Sequence, residues 1–433
     1  VSLDKLKLSK QLVAAMTDAG YLTPKEIQTK TLSRIIGGQD IIGIGPEGCG
    51  KTTAYVLGVL MRLKYSTEDA PRALILVPDA ERVEAVIDQF KLLAKNKSVR
   101  VIGLHPQMGQ EEQLDLLAEG CDIVVATPDR ARSHYLKFAL NLNLIQVLVI
   151  DDAELLIKKG FQLPITELAR SITKCQRLVF SEVIHSKLEK LIEPFMNQPA
   201  LIEVNLLAEN KAETHEQLLY HVPNFRTKQN LLNLLMSDDE IFTKVLVFVN
   251  TRYNAQVLYK SLNKRLPGEV VLYKPMFFDQ LAVDSVEEFK ELPETRILII
   301  ANETYESTDI HDVPFIIHFE LPLEKETLVG RIVKRSEAST EEILAITFAT
   351  DLELSMVRKI EQSTGQKMPL ADFPPGLIIV GDRQKSEASD SEEEEEEKDT
   401  TPTKGAAFHP KKEKNAKTTN YSSKVKAKMK YKK

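Results

Sequence analysis

Asp40-Ile41-Ile42-Gly43-Ile44-Gly45-Pro46-Glu47-Gly48-Cys49-Gly50-Lys51-Thr52-Thr53 is the stretch on which the fold turns. A short apolar run leads into a complete G-x-x-x-x-G-K-T, and a helical pattern follows it. In that strand-loop-helix setting, the backbone amides from Glu47 to Thr52 are expected to curl around a β-phosphate, helped by the positive end of the next helix. Gly48, Cys49, Gly50, Lys51, Thr52 and Thr53 are therefore candidate nucleotide-binding residues. Lys51 is expected to neutralise the β/γ oxygens, and the Thr52 hydroxyl to take one Mg²⁺ position. The apolar run Val147-Leu148-Val149-Ile150 ends in Asp151-Asp152, so Asp151 offers that ion a carboxylate, partly through water.

The pattern around the loop repeats. Asp40–Gly45, Ala73–Val77, Asp122–Ala126, Val147–Ile150 and Arg177–Phe180 read as strands buried on both faces, with helical stretches such as Ala80–Leu93 and Gln110–Glu119 between them. A second series runs through Lys244–Val249, Glu269–Leu272, Arg296–Ile300, Phe315–Phe319 and Ile343–Phe348, with helices at Tyr253–Lys264, Asp284–Glu291 and Asp351–Ser363. The expectation is an α/β protein of two tandem parallel-sheet domains, residues 1–207 and 219–381, joined by a linker at 208–218.

Composition narrows the function. Of 433 residues, 43% are hydrophobic and 28% charged, a globular balance. The 3 cysteines are too few and too scattered for a disulfide framework or a four-ligand zinc site, which predicts a reducing, cytoplasmic setting. No apolar run is long enough to span a membrane, and the N-terminus lacks the apolar core of a signal peptide. The net charge of -6 conceals a block with nine acidic residues and one Lys (Glu387 to Asp399), then one with eleven Lys and one Glu (Lys404 to Lys433). Residues 382–433 thus read as a disordered acidic-then-basic tail, suited to RNA phosphates through lysines such as Lys411 and Lys412.

In its order of motifs, the chain resembles the DEAD-box family of RNA-dependent ATPases over roughly residues 1–370. Gly20-Tyr21-Leu22-Thr23-Pro24-Lys25-Glu26-Ile27-Gln28 resembles the adenine-reading segment, implying nucleotide contacts from Tyr21 and Gln28. The aromatic that stacks on the base in the family corresponds to Leu3. Asp151-Asp152-Ala153-Glu154 stands for Asp-Glu-Ala-Asp, and Ser181-Glu182-Val183 for Ser-Ala-Thr. Asp152 occupies the place of the Glu that orients the attacking water, and one methylene fewer withdraws its carboxylate by ~1.3 Å. Slow hydrolysis is the implied consequence.

For RNA, the resemblance implies contacts from Thr127 and Arg130, in Thr127-Pro128-Asp129-Arg130, and from Asn250 and Thr251, in Phe248-Val249-Asn250-Thr251-Arg252. Asp309 corresponds to the ribose-holding residue. Leu328-Val329-Gly330-Arg331-Ile332-Val333-Lys334-Arg335-Ser336-Glu337 replaces His-Arg-x-Gly-Arg-x-x-Arg: Arg331 is retained, and the finger positions fall on Lys334 and Glu337. Lys lacks the planar bidentate fork of Arg, so ATP-driven domain closure is the weakest inherited step. The resemblance therefore implies two RecA-like domains, ATP and Mg²⁺ as ligands, catalytic roles for Lys51, Asp151, Asp152, Ser181 and Arg331, and a monomeric RNA helicase or a slow ATP-gated RNA clamp, with ribosomal or RNA-decay complexes as settings.

Overall fold

The computed structural model describes residues 3–63, 69–96, 98–205, 207, 211–276, 281–305, 313–334 and 343–381. Asp309, Arg335, Glu337, Lys411, Lys412 and the charged tail lie outside them.

Two seven-stranded, all-parallel sheets account for the fold. The first contains β1 (Ile41–Ile44), β2 (Ala73–Leu76), β3 (Val101–Leu104), β4 (Ile123–Ala126), β5 (Val147–Ile150), β6 (Gln176–Ser181) and β7 (Ala200–Glu203), in the order β3-β4-β2-β5-β6-β1-β7. The second contains β8 (Glu216–His221), β9 (Val245–Val249), β10 (Val270–Tyr273), β11 (Ala282–Val283), β12 (Ile297–Ala301), β13 (Phe315–His318) and β14 (Leu344–Ala349), in the order β11-β10-β12-β9-β13-β14-β8. Side chains alternate across each sheet: Ala73 and Ile75 enter one apolar core of the first half, while Leu74 and Leu76 enter the other. Helices cover both faces, which is why the interior strands are apolar along most of their length.

The interior strands fall where the apolar runs place them. The strands that the pattern does not announce, β3, β7, β8 and β11, are the edge strands of the two sheets. An edge strand is less enclosed: β7 and β8 carry exposed or half-buried residues along their length, so their apolar signal is diluted. β8 begins at Glu216, inside the stretch expected to be linker. Its outer side is not bare, because Leu219 N donates to Pro369 O and Ala371 N to Leu219 O, both at 2.8 Å. Beyond that contact the chain runs on to Val380, whose carbonyl accepts from Asn224 Nδ2 at 2.6 Å.

Local chemistry sets the helix ends beside the site. Asp79 caps the helix Ala80–Leu93 by accepting from Arg82 N at 3.0 Å, and Thr251 caps Arg252–Asn263 by accepting from Asn254 N at 3.1 Å. The helix Lys51–Arg62 packs on Glu26–Ile36 at Gly58, where a Cβ would fall on Ile35 Cγ2. Gly58→Ala is expected to lower stability by about 1–3 kcal/mol in urea unfolding, because overpacking outweighs the helix-propensity gain of about 1 kcal/mol. No helix among the described residues is long and apolar enough to cross a membrane.

Candidate active site

The C-terminal ends of β1, β2, β5 and β6 bring the phosphate loop, Pro78-Asp79, Asp151-Asp152 and Ser181-Glu182 to one edge of the first sheet, where open α/β sheets bind ligands. A cleft of about 350 Å³ opens there, lined by Tyr21, Thr23, Lys25, Gln28, Glu47, Gly48, Gly50, Lys51, Thr52, Thr53, Arg82, Asp152 and Glu182.

The loop needs its glycines. Gly48 and Gly50 have φ of +76° and +99°, and a Cβ on Gly50 would lie 2.7 Å from Gln28 Nε2. Lys51 is buried and donates to the carbonyls of Gly45 at 2.6 Å and Pro46 at 3.1 Å, so its ammonium already sits inside the loop. Gln28 holds the loop from outside. Its Oε1 accepts from Lys25 N at 2.9 Å, its Nε2 lies 3.5 Å from Gly50 O, and the Lys25 ammonium donates to Gly48 O. Tyr21 Oη is bonded to the Gln89 amide at 3.3 Å. Cys49 packs against Ile27 and Val204, and burial raises its thiol pKa, as befits a filler. Leu3 is buried in the apolar core, away from the cleft lining.

Asp151 is fully buried and accepts from Tyr55 Oη at 2.9 Å. Burial and then the neighbouring Asp152 raise its pKa. Among the described residues no three His, Cys, Asp or Glu are grouped to hold a metal. Mg²⁺ bound to a nucleotide needs only one or two protein oxygens, and the Thr52 hydroxyl with the Asp151 carboxylate is a donor set that fits.

Asp152 adopts a left-handed backbone, φ +49°, and its Oδ2 is gripped by Arg82 Nε at 2.6 Å and by the Arg82 Nη2 at 2.5 Å. Partial burial works against the Arg82 cation, and Asp152 and Asp151 more than offset it. Glu154 faces Ser181: its Oε2 lies 2.5 Å from Ser181 Oγ and accepts from Glu182 N at 3.2 Å. Burial pushes the Glu154 carboxyl up to about 7.

The residues expected to meet RNA have two kinds of surroundings. Thr127, after β4, is buried with Oγ1 unpartnered, and Arg130 in the next helix turn has Nε unpartnered. Asn250 and Thr251 are engaged within the second half. Asn250 N donates to Glu320 Oε2 at 2.7 Å, Nδ2 to Leu321 O at 2.9 Å, and Oδ1 accepts from Asn302 at 2.8 Å. Arg331 is also turned inward: it donates to Asn302 Oδ1 at 2.9 Å, and its guanidinium lies 3.8 Å from the centre of the Phe248 ring. Burial lowers its pKa to about 10. Lys334 is exposed.

The family model described as "DEAD/DEAH box helicase" matches residues 25–191, the span that carries this cleft. Over that span the chain is similar to the DEAD-box helicases. "ATP-dependent RNA helicase DeaD" of Haemophilus influenzae is 25% identical over 387 residues, which is 89% of this chain and 62% of that protein. "ATP-dependent RNA helicase RhlB" of Pseudomonas putida is 28% identical over 390 residues, 86% of this chain and 94% of that protein. The chain thus spans 62% and 60% of the DeaD proteins of Haemophilus influenzae and Buchnera aphidicola. A crystal structure of a DEAD box protein from Methanococcus jannaschii aligns with 86% of this chain and 99% of that one, at 21% identity and a TM-score of 0.49.

Several residues of this site escape a motif-by-motif reading. Arg82 lies just beyond the altered Pro78-Asp79-Ala80-Glu81 segment, and only the fold reveals that it reaches Asp152. Tyr55 lies one helical turn after Lys51, a spacing that would have placed it on the loop side of that helix. Glu154, the last residue of Asp151-Asp152-Ala153-Glu154, could have been foreseen as the partner of Ser181. Lys359 lies on the helix Leu354–Thr364 of the second half, yet its Nζ is 3.5 Å from Glu47 Oε2 and 4.0 Å from Glu182 Oε1.

Proposed function

We propose that the chain binds ATP-Mg²⁺ in the cleft of the first domain and couples slow, RNA-dependent hydrolysis to remodelling of short RNA duplexes or RNA–protein contacts. The observation that carries this reading is the cleft itself, around which Lys51, Thr52, Asp152, Tyr21 and Gln28 are gathered, with Asp151 buried next to Asp152 behind the lining. The similarity to the ATP-dependent RNA helicases DeaD and RhlB supports it. Lys51 would exchange the Gly45 and Pro46 carbonyls for β/γ oxygens, Thr52 and Asp151 would hold the ion, and Asp152 would orient water. Thr127, Arg130, Asn250, Thr251, Lys411 and Lys412 are the proposed RNA contacts, and Asp309 the ribose contact. The unpaired cysteines suit a cytoplasmic protein.

A second reading, an ATP-gated RNA clamp with little turnover, is favoured by the Arg82 grip on Asp152 and by the inward turn of Arg331. Steady-state ATP hydrolysis with and without single-stranded RNA, with Lys51→Ala as background, separates the two. RNA-stimulated turnover above that background is the expected result. Background turnover by a chain that still binds ATP and RNA would leave the clamp, and failure to bind ATP would end both readings.

A further inference from the structure

Glu182 stands where the family has Ala, and it brings a second carboxylate beside Glu47 to a cleft meant for a polyanion. Both line the cavity, and the Glu182 side chain is only 9% exposed. The ammonium of Lys359 bridges them, at 3.5 Å from Glu47 Oε2 and 4.0 Å from Glu182 Oε1. It comes from the helix Leu354–Thr364, which follows β14 of the second sheet.

The place of this ammonium in the cleft follows from its neighbours. Glu47 follows Pro46, whose carbonyl holds Lys51 Nζ at 3.1 Å, so Lys359 lies at the part of the cleft where Lys51 would meet phosphate. The Glu182 carboxyl, raised by burial, feels the opposing pull of Lys359 and Lys51 together. Meanwhile Arg331 is stacked on Phe248 and Lys334 is exposed. Glu47 itself is 71% exposed, and an ion pair with so open a partner contributes little to holding the two halves together. The ammonium can therefore change partners at small cost.

We propose that Lys359 is the cation through which the second domain reads the nucleotide, moving from Glu47 and Glu182 to a terminal phosphate oxygen of a bound nucleoside triphosphate. A diphosphate leaves the ammonium on its carboxylates. Discrimination between the two nucleotides then depends on one side chain from outside the phosphate loop, and Glu182 tunes it. This inference rests on the ATP reading of the cleft.

The test is calorimetric titration of the full chain with Mg²⁺-AMPPNP and with Mg²⁺-ADP, for wild type, Lys51→Ala, Lys359→Ala and Lys359→Ala with Glu182→Ala. Lys359→Ala should weaken AMPPNP binding about tenfold, the scale of one charge-assisted hydrogen bond, and leave ADP binding within about twofold. Adding Glu182→Ala should restore much of the loss by removing an unscreened carboxylate, which also shows that the variants fold. Equal binding of both nucleotides by Lys359→Ala and wild type, with Lys51→Ala still defective, would overturn the role of Lys359 alone. A wild-type chain that binds neither nucleotide would overturn the ATP reading and this role with it.

Discussion

Asp152→Glu should raise RNA-stimulated ATP turnover by up to about a hundredfold while leaving ATP affinity within about threefold, because on the proposed reading it advances the water-orienting carboxylate without altering the phosphate loop. Asp152 Oδ2 is now 2.5 Å from Arg82 Nη2, and its backbone is fixed in the left-handed region. The carboxylate therefore has little freedom to advance toward the cleft. One added methylene supplies ~1.3 Å of reach, and a displacement of that order is worth about two powers of ten in a positioned reaction. Arg82 lies on the adjoining helix with a long side chain and can follow the carboxylate outward. Single-turnover hydrolysis in saturating RNA measures the chemical step. An unchanged rate would place the limit at the finger positions, where Lys334 stands, instead of at the attacking water.

Glu154 yields the second large effect, on stability. Its carboxyl is held up at about 7 in the folded chain by burial, against an ordinary value of about 4.5. Between those values the folded state keeps a proton that the unfolded state has lost, so stability falls as pH rises. The contribution is complete below about pH 4.5 and is gone above about pH 7, a span equivalent to about 3 kcal/mol. Glu154→Gln has no proton to lose, and its amide oxygen can still accept from Ser181 Oγ and Glu182 N. Urea unfolding at pH 5 and pH 8 should therefore show wild type losing about 2.5 kcal/mol more than Glu154→Gln over that interval. Parallel pH profiles for the two proteins would mean that Glu154 is ionised throughout.

Local sequence announces what local physics controls. The phosphate loop was legible because glycine is needed at positive φ, at Gly48 and Gly50, and because an apolar run must precede it. The interior strands were legible because burial on both faces leaves few polar positions, whereas β7 and β8 at the sheet edges carry mixed residues. Contacts across the fold were not legible. Arg82 meets Asp152, Tyr55 meets Asp151, and Lys359 meets Glu182, each across a separation that no periodicity encodes. Likewise, a motif match placed Asn250 and Arg331 in functional roles without showing that both are bonded to Asn302 inside the second half.

The backbone bonds between Leu219 and the Pro369–Ala371 stretch have a consequence for the life of the protein outside its site. β8 ends a sheet, and an unpaired row of amides and carbonyls is a template for strand addition between chains. The final described stretch serves as a cover strip over that row. A protease that clipped the chain just after Gly365 would leave Lys51, Thr52 and Asp151 in place, yet it would strip Leu219 of both its backbone partners and open that edge of β8 to a strand from a second copy. Whatever regulates access to residues 366–381 thereby regulates whether that edge stands open to strand addition.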